Sequence, residues 1–319
     1  MKKLNDIKVM SLFSGVGGFE LAMPERYKIV GFSEIDKYAN MVLKYKFPNI
    51  TNYGDITKIK TADLPDFDML TGGSPCQDLS IAGKRRGLSA ERSGLFMEYI
   101  RILRDKKPRY FIWENVKGAL SSNYGFDFAI VLNEFSEAGY NLWWQVLNAK
   151  DFGVPQNRER IFICGFREES PPEVFFERES NKNNYRESGN KLREQVANTI
   201  RTNYSNGFSN ETYIEVQNKG ASQHYRVYGE KGLAPTLQSQ SGMSSQKHPF
   251  IKVHNMQQGR IRKLMPIECE RLMSWSDNHT KYGINEKGEK VEISDNQRYK
   301  MCGNGVVSNV VKAIVENLF

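Results

Sequence analysis

Three short stretches carry residues able to do chemistry. Cys76 stands in Thr71-Gly72-Gly73-Ser74-Pro75-Cys76-Gln77-Asp78-Leu79-Ser80, directly after a short apolar run at 68–70. A lone cysteine is more often a small buried hydrophobe than a nucleophile. Here the preceding proline, the glycines and the strand end favour an exposed thiol able to attack a carbon. Phe111-Ile112-Trp113-Glu114-Asn115-Val116 closes another apolar run with a carboxylate. Glu114 reads as a plain helix cap or as a group that shares a proton with a substrate nitrogen. In Gln156-Asn157-Arg158-Glu159-Arg160, arginines at i and i+2 point to one side of an extended segment. That is an ordinary charged strand edge, or an anchor for a phosphate or a pyrimidine oxygen.

Near the N-terminus, Met10-Ser11-Leu12-Phe13-Ser14-Gly15-Val16-Gly17-Gly18-Phe19-Glu20 places glycines after a first strand. Glycines there allow a tight turn and close ligand approach. Glu20 stands where a dinucleotide fingerprint needs its third glycine, and the Lys-Ser/Thr of a phosphate loop is absent. Glu34 follows the second strand, where a carboxylate accepts from ribose hydroxyls, and Asp55 in Tyr53-Gly54-Asp55-Ile56 is set to meet an adenine amino group. Each acid alone reads as a solvated surface carboxylate. Together, at successive strand ends, the three features favour a nucleoside cofactor without a pyrophosphate.

These residues need a frame. Apolar runs at 9–13, 28–32, 68–70, 109–113, 142–147 and 161–164 read as strands, and 36–45, 94–104 and 126–137 as helices. Such alternation predicts an α/β fold with a doubly wound parallel sheet and helices on both faces, ligands binding at the carboxyl ends of the strands. From about 168 the texture becomes rich in Asn, Ser, Glu and Arg, with Tyr204, Phe208, Tyr213, Tyr225 and Tyr228 spread among basic residues. A linker and an irregular nucleic-acid surface fit that composition about equally. Regularity returns with a helix at 266–275, Pro266 in its first turn, and a last helix whose apolar face is Val306, Val310, Val311, Ile314 and Leu318. The division expected is 1–168 as a catalytic domain, 169–290 as a smaller irregular domain with its hinge, and 291–319 as a segment returning to the first.

The chain has 319 residues, 39% of them hydrophobic, and a formal net charge of +8. It can bury a proper core, and its basicity favours an anionic partner such as nucleic acid. The four cysteines form no Cys-x-x-Cys pair and the four histidines no ligand cluster, so no metal is expected. The first residues, MKKLNDIKVM, lack the apolar core of a signal peptide, and no run approaches the ~18 apolar residues of a membrane span. A cytoplasmic protein with reduced thiols and no membrane partner is expected.

Taken in order, FSGVGG, GGSPCQ, ENV, QNRER, RKLMPIECERLM from Arg262 and GNGVV from Gly303 resemble the motif series of bacterial and phage DNA cytosine-C5 methyltransferases along nearly the whole chain. The resemblance implies a methyltransferase using S-adenosylmethionine (SAM), with a Rossmann-like catalytic sheet and a smaller target-recognition domain before RKLMPIECERLM. In that family a cysteine thiolate adds to C6 of a cytosine flipped out of duplex DNA, and C5 then accepts the methyl group. Carried onto this chain, Cys76 is the nucleophile, Glu114 the partner at cytosine N3 and its amine, and Asn115, Arg158 and Arg160 hold the base and the loop. Phe13 stacks on adenine and the turn of Ser14, Gly15, Gly17 and Gly18 lies beside methionine. Glu34 and Ile35 meet the ribose, Asp55 and Ile56 flank adenine, and Pro75, Leu95 and Asn304 complete the pocket.

For DNA, the resemblance implies a closing loop after Cys76 with Ser80, Lys84, Arg85 and Arg86. Tyr225-Arg226-Val227-Tyr228 and Ala234-Pro235-Thr236-Leu237 look like recognition landmarks, so Arg226, Thr236 and the nearby Gln240 are DNA contacts, and Gln223 falls where a side chain enters the vacated stack. The enzyme is expected to act as a monomer, encoded by a bacterium or phage, with any restriction endonuclease a genetic rather than physical partner. Ser274-Trp275-Ser276-Asp277, Asn157 and Gly305 depart from the commoner family residues without touching the nucleophile or the acid. A transfer-RNA enzyme of the same chemistry, a silent DNA-binding relative and a nicotinamide oxidoreductase are the competing readings. The first lacks its Cys-Phe-Thr signature here, the second is opposed by intact Cys76, Glu114, Arg158 and Arg160, and the third by Glu20.

Overall fold

The structure is a computed structural model that describes residues 6–75, 94–176, 227–229, 234–235, 250–253 and 260–319. Cys76, Ser80, Lys84, Arg85, Arg86, Gln223, Arg226, Thr236 and Gln240 lie outside the described residues.

The first half alternates as its apolar runs dictate. In order come β1 (Ile7–Leu12), β2 (Tyr27–Ser33), α1 (Lys37–Lys46), β3 (Met69–Gly72), α2 (Leu95–Lys106), β4 (Tyr110–Val116), α3 (Phe126–Glu137), β5 (Asn141–Asn148), β6 (Gln156–Asn157) and β7 (Glu159–Phe166). Six of these strands form one sheet in the order β2-β1-β3-β4-β7-β5. Strands β2, β1, β3 and β4 run parallel to one another, while β7 runs antiparallel to both β4 and β5. The sheet is therefore mixed rather than wholly parallel. Only a short turn and β6 separate β5 from β7, too little chain for a crossover helix, so β7 must return antiparallel.

Apolar residues pack on both faces of this sheet. One layer joins Leu12, Leu70, Phe111, Trp113 and Ile163 to Phe96, Tyr99 and Leu103 of α2 and Val131 and Phe135 of α3. The other joins Val9, Met69, Ile112, Phe162 and Cys164 to the end of the chain. Helix α4 (Pro266–Leu272) contributes Cys269 and Leu272, and α6 (Ser308–Leu318) contributes Val310, Val311, Ile314 and Leu318. The stacked rings of Phe319 and Phe166, centroids 5.0 Å apart, seal the last helix to the sheet, as its apolar face predicts. The helix expected at 266–275 stops at Leu272, and Ser274 then turns left-handed with φ 59°. Between α4 and α6 lie a β-hairpin, α5 (Asp295–Asn304) and a buried Glu270–Arg298 pair, Arg298 Nη2 lying 3.0 Å from Glu270 Oε1.

Away from the main sheet, β8 (Val227–Gly229), β10 (Phe250–Val253) and β11 (Arg260–Lys263) form a three-stranded sheet in the order β11-β10-β8. Strand β9 (Ala234–Pro235) pairs in parallel with β6, so the Ala-Pro landmark of the irregular segment meets the QNRER stretch at the level of the backbone. Among the described residues no helix is long and apolar enough to cross a membrane.

Candidate active site

The chain winds outward from β1 to β2 and then returns to the other side of β1 as β3. The reversal leaves a crevice beyond the carboxyl ends of β1 and β3, the place where open α/β sheets bind ligands. A cavity of about 680 Å³ occupies it, a size within the usual range for small-molecule sites.

At one end, Phe13, Gly15, Glu34, Ile35, Asp55, Ile56 and Leu95 line the wall. Phe13 itself adopts φ 54° and Gly15 φ 55°. A left-handed phenylalanine is a strained residue, and such strain concentrates at ligand sites. Glu34 holds the turn: Gly15 N donates to Oε2 at 2.8 Å, and Ile35 N and Asp36 N donate to Oε1 at 2.8 and 2.7 Å. Burial raises its pKa, against the lowering effect of those three bonds. A carboxylate offers about four lone-pair sites, so Oε2 retains acceptor capacity for a hydroxyl. Ile35 is 69% exposed, an apolar shelf beside that carboxylate. Asp55 caps a short turn by accepting from Thr57 N and Oγ1 at 3.0 and 2.8 Å. An anchored carboxylate, an apolar shelf and an aromatic ring suit the ribose and adenine of a nucleoside cofactor.

Three members of the glycine turn do not line the cavity. Ser14 is buried, its hydroxyl donating to Ser11 O at 3.1 Å. Gly17 packs against Phe47, and Gly18 lies under Val306 while its carbonyl accepts from Ser308 Oγ at 2.7 Å. They position the turn on the body of the protein.

Beneath the turn, Glu20 is 6% exposed and neither carboxyl oxygen is held in a well-formed hydrogen bond. Burial pushes its pKa up to about 7, with the Ser11 hydroxyl only partly offsetting it. An acid whose folded pKa exceeds its ordinary 4.5 binds more protons folded than unfolded between those values. Stability therefore falls as pH rises from about 4.5 to about 7, by on the order of 3 kcal/mol. Glu20→Gln is expected to flatten that slope and raise Tm at pH 8 while leaving pH 4.5 little changed, read by thermal melts across pH.

The opposite end of the cavity holds Gly73, Ser74, Pro75, Glu114, Asn115, Val116, Arg158 and Arg160. Register explains the convergence, since β3 lies beside β4 and β4 beside β7. Glu114 Oε1 pairs with Arg160 Nε at 3.0 Å. Burial raises the Glu114 pKa, while Arg160 and Arg158 pull it back. Asn115 is buried and donates from Nδ2 to Ser74 O at 3.0 Å, and Trp113 Nε1 donates to Ser74 Oγ at 3.2 Å. Strand β4 thus grips the residues from which the chain passes through Pro75 into Cys76. Gly73 allows the grip: a Cβ there would stand 2.7 Å from Glu114 Oε2 and 3.0 Å from Glu114 O. Gly73→Ala is expected to cost about 1–3 kcal/mol in chemical denaturation and to lower kcat more than it raises the KM for cofactor.

The two arginines reach the same cavity by different routes. Arg160 lies in β7, but Arg158 precedes it and is 3% exposed, with Nη2 donating to Gly303 O at 3.1 Å and Gly305 O at 2.6 Å. Arg158 therefore ties the GNGVV stretch to the site. Burial and Arg160 pull its pKa down to about 9, against the raising effect of Glu114, and it stays a cation at neutral pH.

A third wall comes from α5, with Lys300, Met301, Gly303 and Asn304. Lys300 Nζ lies 2.6 Å from Asp36 Oδ2, and sequence reading missed both. Their signals were available: Asp36 follows Glu34 and Ile35, and Lys300 precedes Asn304 by one helical turn. Cys164, Cys269 and Cys302 are buried free thiols, and burial raises the pKa of each. None of these three lines the cavity.

A mixed α/β sheet whose crevice offers an anchored carboxylate and an aromatic ring at one end, and a half-buried acid with two arginines at the other, defines a class of small-molecule site, and known proteins give it a family. Residues 7–319 match the C-5 cytosine-specific DNA methylase family, to which this chain belongs. It is 33% identical to the type II methyltransferase M.HhaI of Haemophilus parahaemolyticus, over 99% of this chain and 95% of that one. The orphan methyltransferase M.Rho11sI of Bacillus phage rho11s is 48% identical over 52% of this chain, a match that spans only 34% of the phage protein. Its fold matches that of the S. pombe Dnmt2 methyltransferase with TM-score 0.65 at 17% identity, covering 97% of each chain, and that of Entamoeba histolytica EhMeth with TM-score 0.67 at 17% identity, covering 98% of this chain and 97% of that one.

Proposed function

We propose that this chain is a sequence-specific DNA cytosine-5 methyltransferase that carries a methyl group from SAM to C5 of a cytosine flipped from duplex DNA, through a covalent Cys76–C6 adduct. One observation carries the reading. Glu114, a half-buried acid with a raised pKa, faces the same cavity as the anchored Glu34 carboxylate, and the wall between them leads directly into Cys76.

SAM supplies a methyl group on a sulfonium. Phe13, Glu34, Ile35, Asp55, Ile56, Pro75, Leu95 and Asn304 would hold its nucleoside, and Gly15 its methionine end. Ser14, Gly17 and Gly18 act behind the wall by fixing the turn. A stacked cytosine is out of reach, so the base turns out of the helix. Glu114 then hydrogen-bonds N3, where its proton offsets the negative charge that builds as the Cys76 thiolate adds to C6. C5, now an enamine carbon, would take the methyl group as the methyl–sulfur bond breaks, the sulfonium leaving as a neutral thioether. The C5 proton passes to water, the electron pair returns to the ring, and Cys76 leaves as thiolate. Arg160 orients Glu114, Arg158 holds the GNGVV wall, and Asn115 holds the Ser74–Pro75 turn.

The division at 168 and 290 belongs to the same reading, with Gln223, Arg226, Thr236 and Gln240 facing DNA and Ser80, Lys84, Arg85 and Arg86 in a closing loop. So do a cytoplasmic monomer and the expectation that any cognate restriction endonuclease is a genetic rather than a physical partner.

Labelled SAM is offered with unmethylated duplex DNA carrying tritium at cytosine C5. Methyl incorporation matched by tritium release, with bisulfite sequencing placing the product in one short motif, is the expected result. Methylation of transfer RNA with DNA untouched transfers the chemistry to RNA. DNA binding without incorporation into either leaves a silent relative.

A further inference from the structure

Past β4 the chain makes two short 3-10 turns before α3, and the second of them lifts an aromatic ring into solvent. Tyr124 is 97% exposed and Phe126 66% exposed. Their presentation is built rather than frayed. Asp127 is a buried carboxylate that accepts from Ser122 Oγ at 2.5 Å and from Asn123 Nδ2 at 3.3 Å. Asn123 and Tyr124 both take left-handed backbone, φ 48° and 56°. Two consecutive non-glycine residues in that region cost roughly 1–3 kcal/mol each, a strain that solvating a tyrosine does not explain.

The position of the tip ties it to the substrate. Val116, the last residue of β4, lines the cavity beside Glu114, and the tip lies only a few residues farther along. Ile130, one turn down α3 from Phe126, is 37% exposed, and Trp144 is 43% exposed with its ring 5.1 Å from that of Phe128. Register sets Trp144 opposite Ile163 and Ile163 opposite Trp113. Trp144 is therefore one residue from the level of Glu114 and two strand spacings, or about 10 Å, to its side. The tip thus leaves the carboxyl end of β4, the end at which Glu114, Asn115 and Val116 line the cavity.

We infer that Tyr124, backed by Phe126, is a DNA contact that stacks on a base or sugar next to the cytosine held in the cavity. The inference rests on the DNA methyltransferase reading above. Tyrosine suits the role because its ring stacks on any base while its hydroxyl stays in water. Tyr124 and Phe126 expose far less than the ~800 Å² per partner that a stable protein interface needs, so a second copy of this chain is the weaker occupant.

Tyr124→Ala and Phe126→Ala are each compared with wild type for duplex affinity by fluorescence anisotropy, for KM of DNA and for Kd of SAM. Removing one base–aromatic stack corresponds to about 5- to 100-fold in affinity. The expected result for Tyr124→Ala is a rise of at least about 5-fold in both Kd and KM for DNA, with the Kd for SAM and the melting temperature unchanged. Tyr124→Trp is expected to retain wild-type affinity. Unchanged DNA affinity in Tyr124→Ala overturns the inference, as does a shift from dimer to monomer in sedimentation velocity with DNA binding intact, which assigns the patch to a protein partner. If wild type itself neither binds nor methylates DNA, the functional reading has failed and the stacking role falls with it.

Discussion

Cys76→Ala is expected to lose methyl transfer by on the order of 10⁴-fold or more, because without a nucleophile C5 never becomes electron-rich enough to take a methyl group. Binding should survive. The walls that flank the thiol are set by Trp113 and Asn115 holding Ser74, and by Glu34 holding the first turn. None of those bonds involves the Cys76 side chain. The decisive measurement pairs duplex affinity with covalent capture on DNA carrying 5-fluorocytosine, where fluorine at C5 cannot leave as a proton and the adduct persists. Wild type should give an adduct stable to denaturant and Cys76→Ala none, with Kd values for DNA and SAM within a few-fold. An adduct that persists in the variant assigns the attack to another residue. Cys164, Cys269 and Cys302 are poor substitutes, because each is a buried thiol whose pKa is raised.

Glu114→Gln carries the second large effect, about 10²- to 10⁴-fold in kcat. The substitution keeps shape and a hydrogen-bond donor but removes the transferable proton. Burial raises the Glu114 pKa, and Arg160 and Arg158 limit the rise. The acid therefore holds its proton to higher pH than an ordinary carboxyl. In wild type the rate should fall on the alkaline side as Glu114 ionises and on the acid side as Cys76 loses its thiolate, giving a bell. In Glu114→Gln the limb belonging to the carboxyl should vanish while the thiolate limb stays. Retention of both limbs at near-normal kcat removes Glu114 from proton transfer. Arg160 Nε at 3.0 Å from Glu114 also loses its ion-pair partner in this variant. A melting curve beside the rate profile separates that effect from chemistry.

The site was legible in sequence to the extent that it lies at strand ends. Glu34 and Glu114 each close an apolar run, and a parallel sheet gathers such positions along one edge whatever the loops do; Asp55 instead follows an isolated bridge between Asn52 and Phe32. Asp36 and Lys300 were not legible as a pair. They lie far apart in the chain, and only the packing of α5 against the first turn of α1 brings Lys300 Nζ to 2.6 Å from Asp36 Oδ2. Glu20 read only as a departure from a glycine fingerprint. Its burial without a well-formed hydrogen bond depends on where the glycine turn folds over β1. Arg158 and Arg160 looked equivalent at i and i+2, yet β7 begins between them, so one bonds the Gly303 and Gly305 carbonyls and the other meets Glu114.

Periodicity and turn chemistry are local properties, and they determined the alternation of strands and helices, the glycine turn and the order of the motifs. The direction of β7, the return of α6 to the sheet, the crevice between β1 and β3 and the pairing of Glu114 with Arg160 belong to the tertiary structure. The physical reason is range. A residue's own neighbours fix its backbone preference, whereas its desolvation and its ionic partners come from chain that is distant in sequence, and those two quantities decide which carboxyl at neutral pH holds a proton and which holds a ligand.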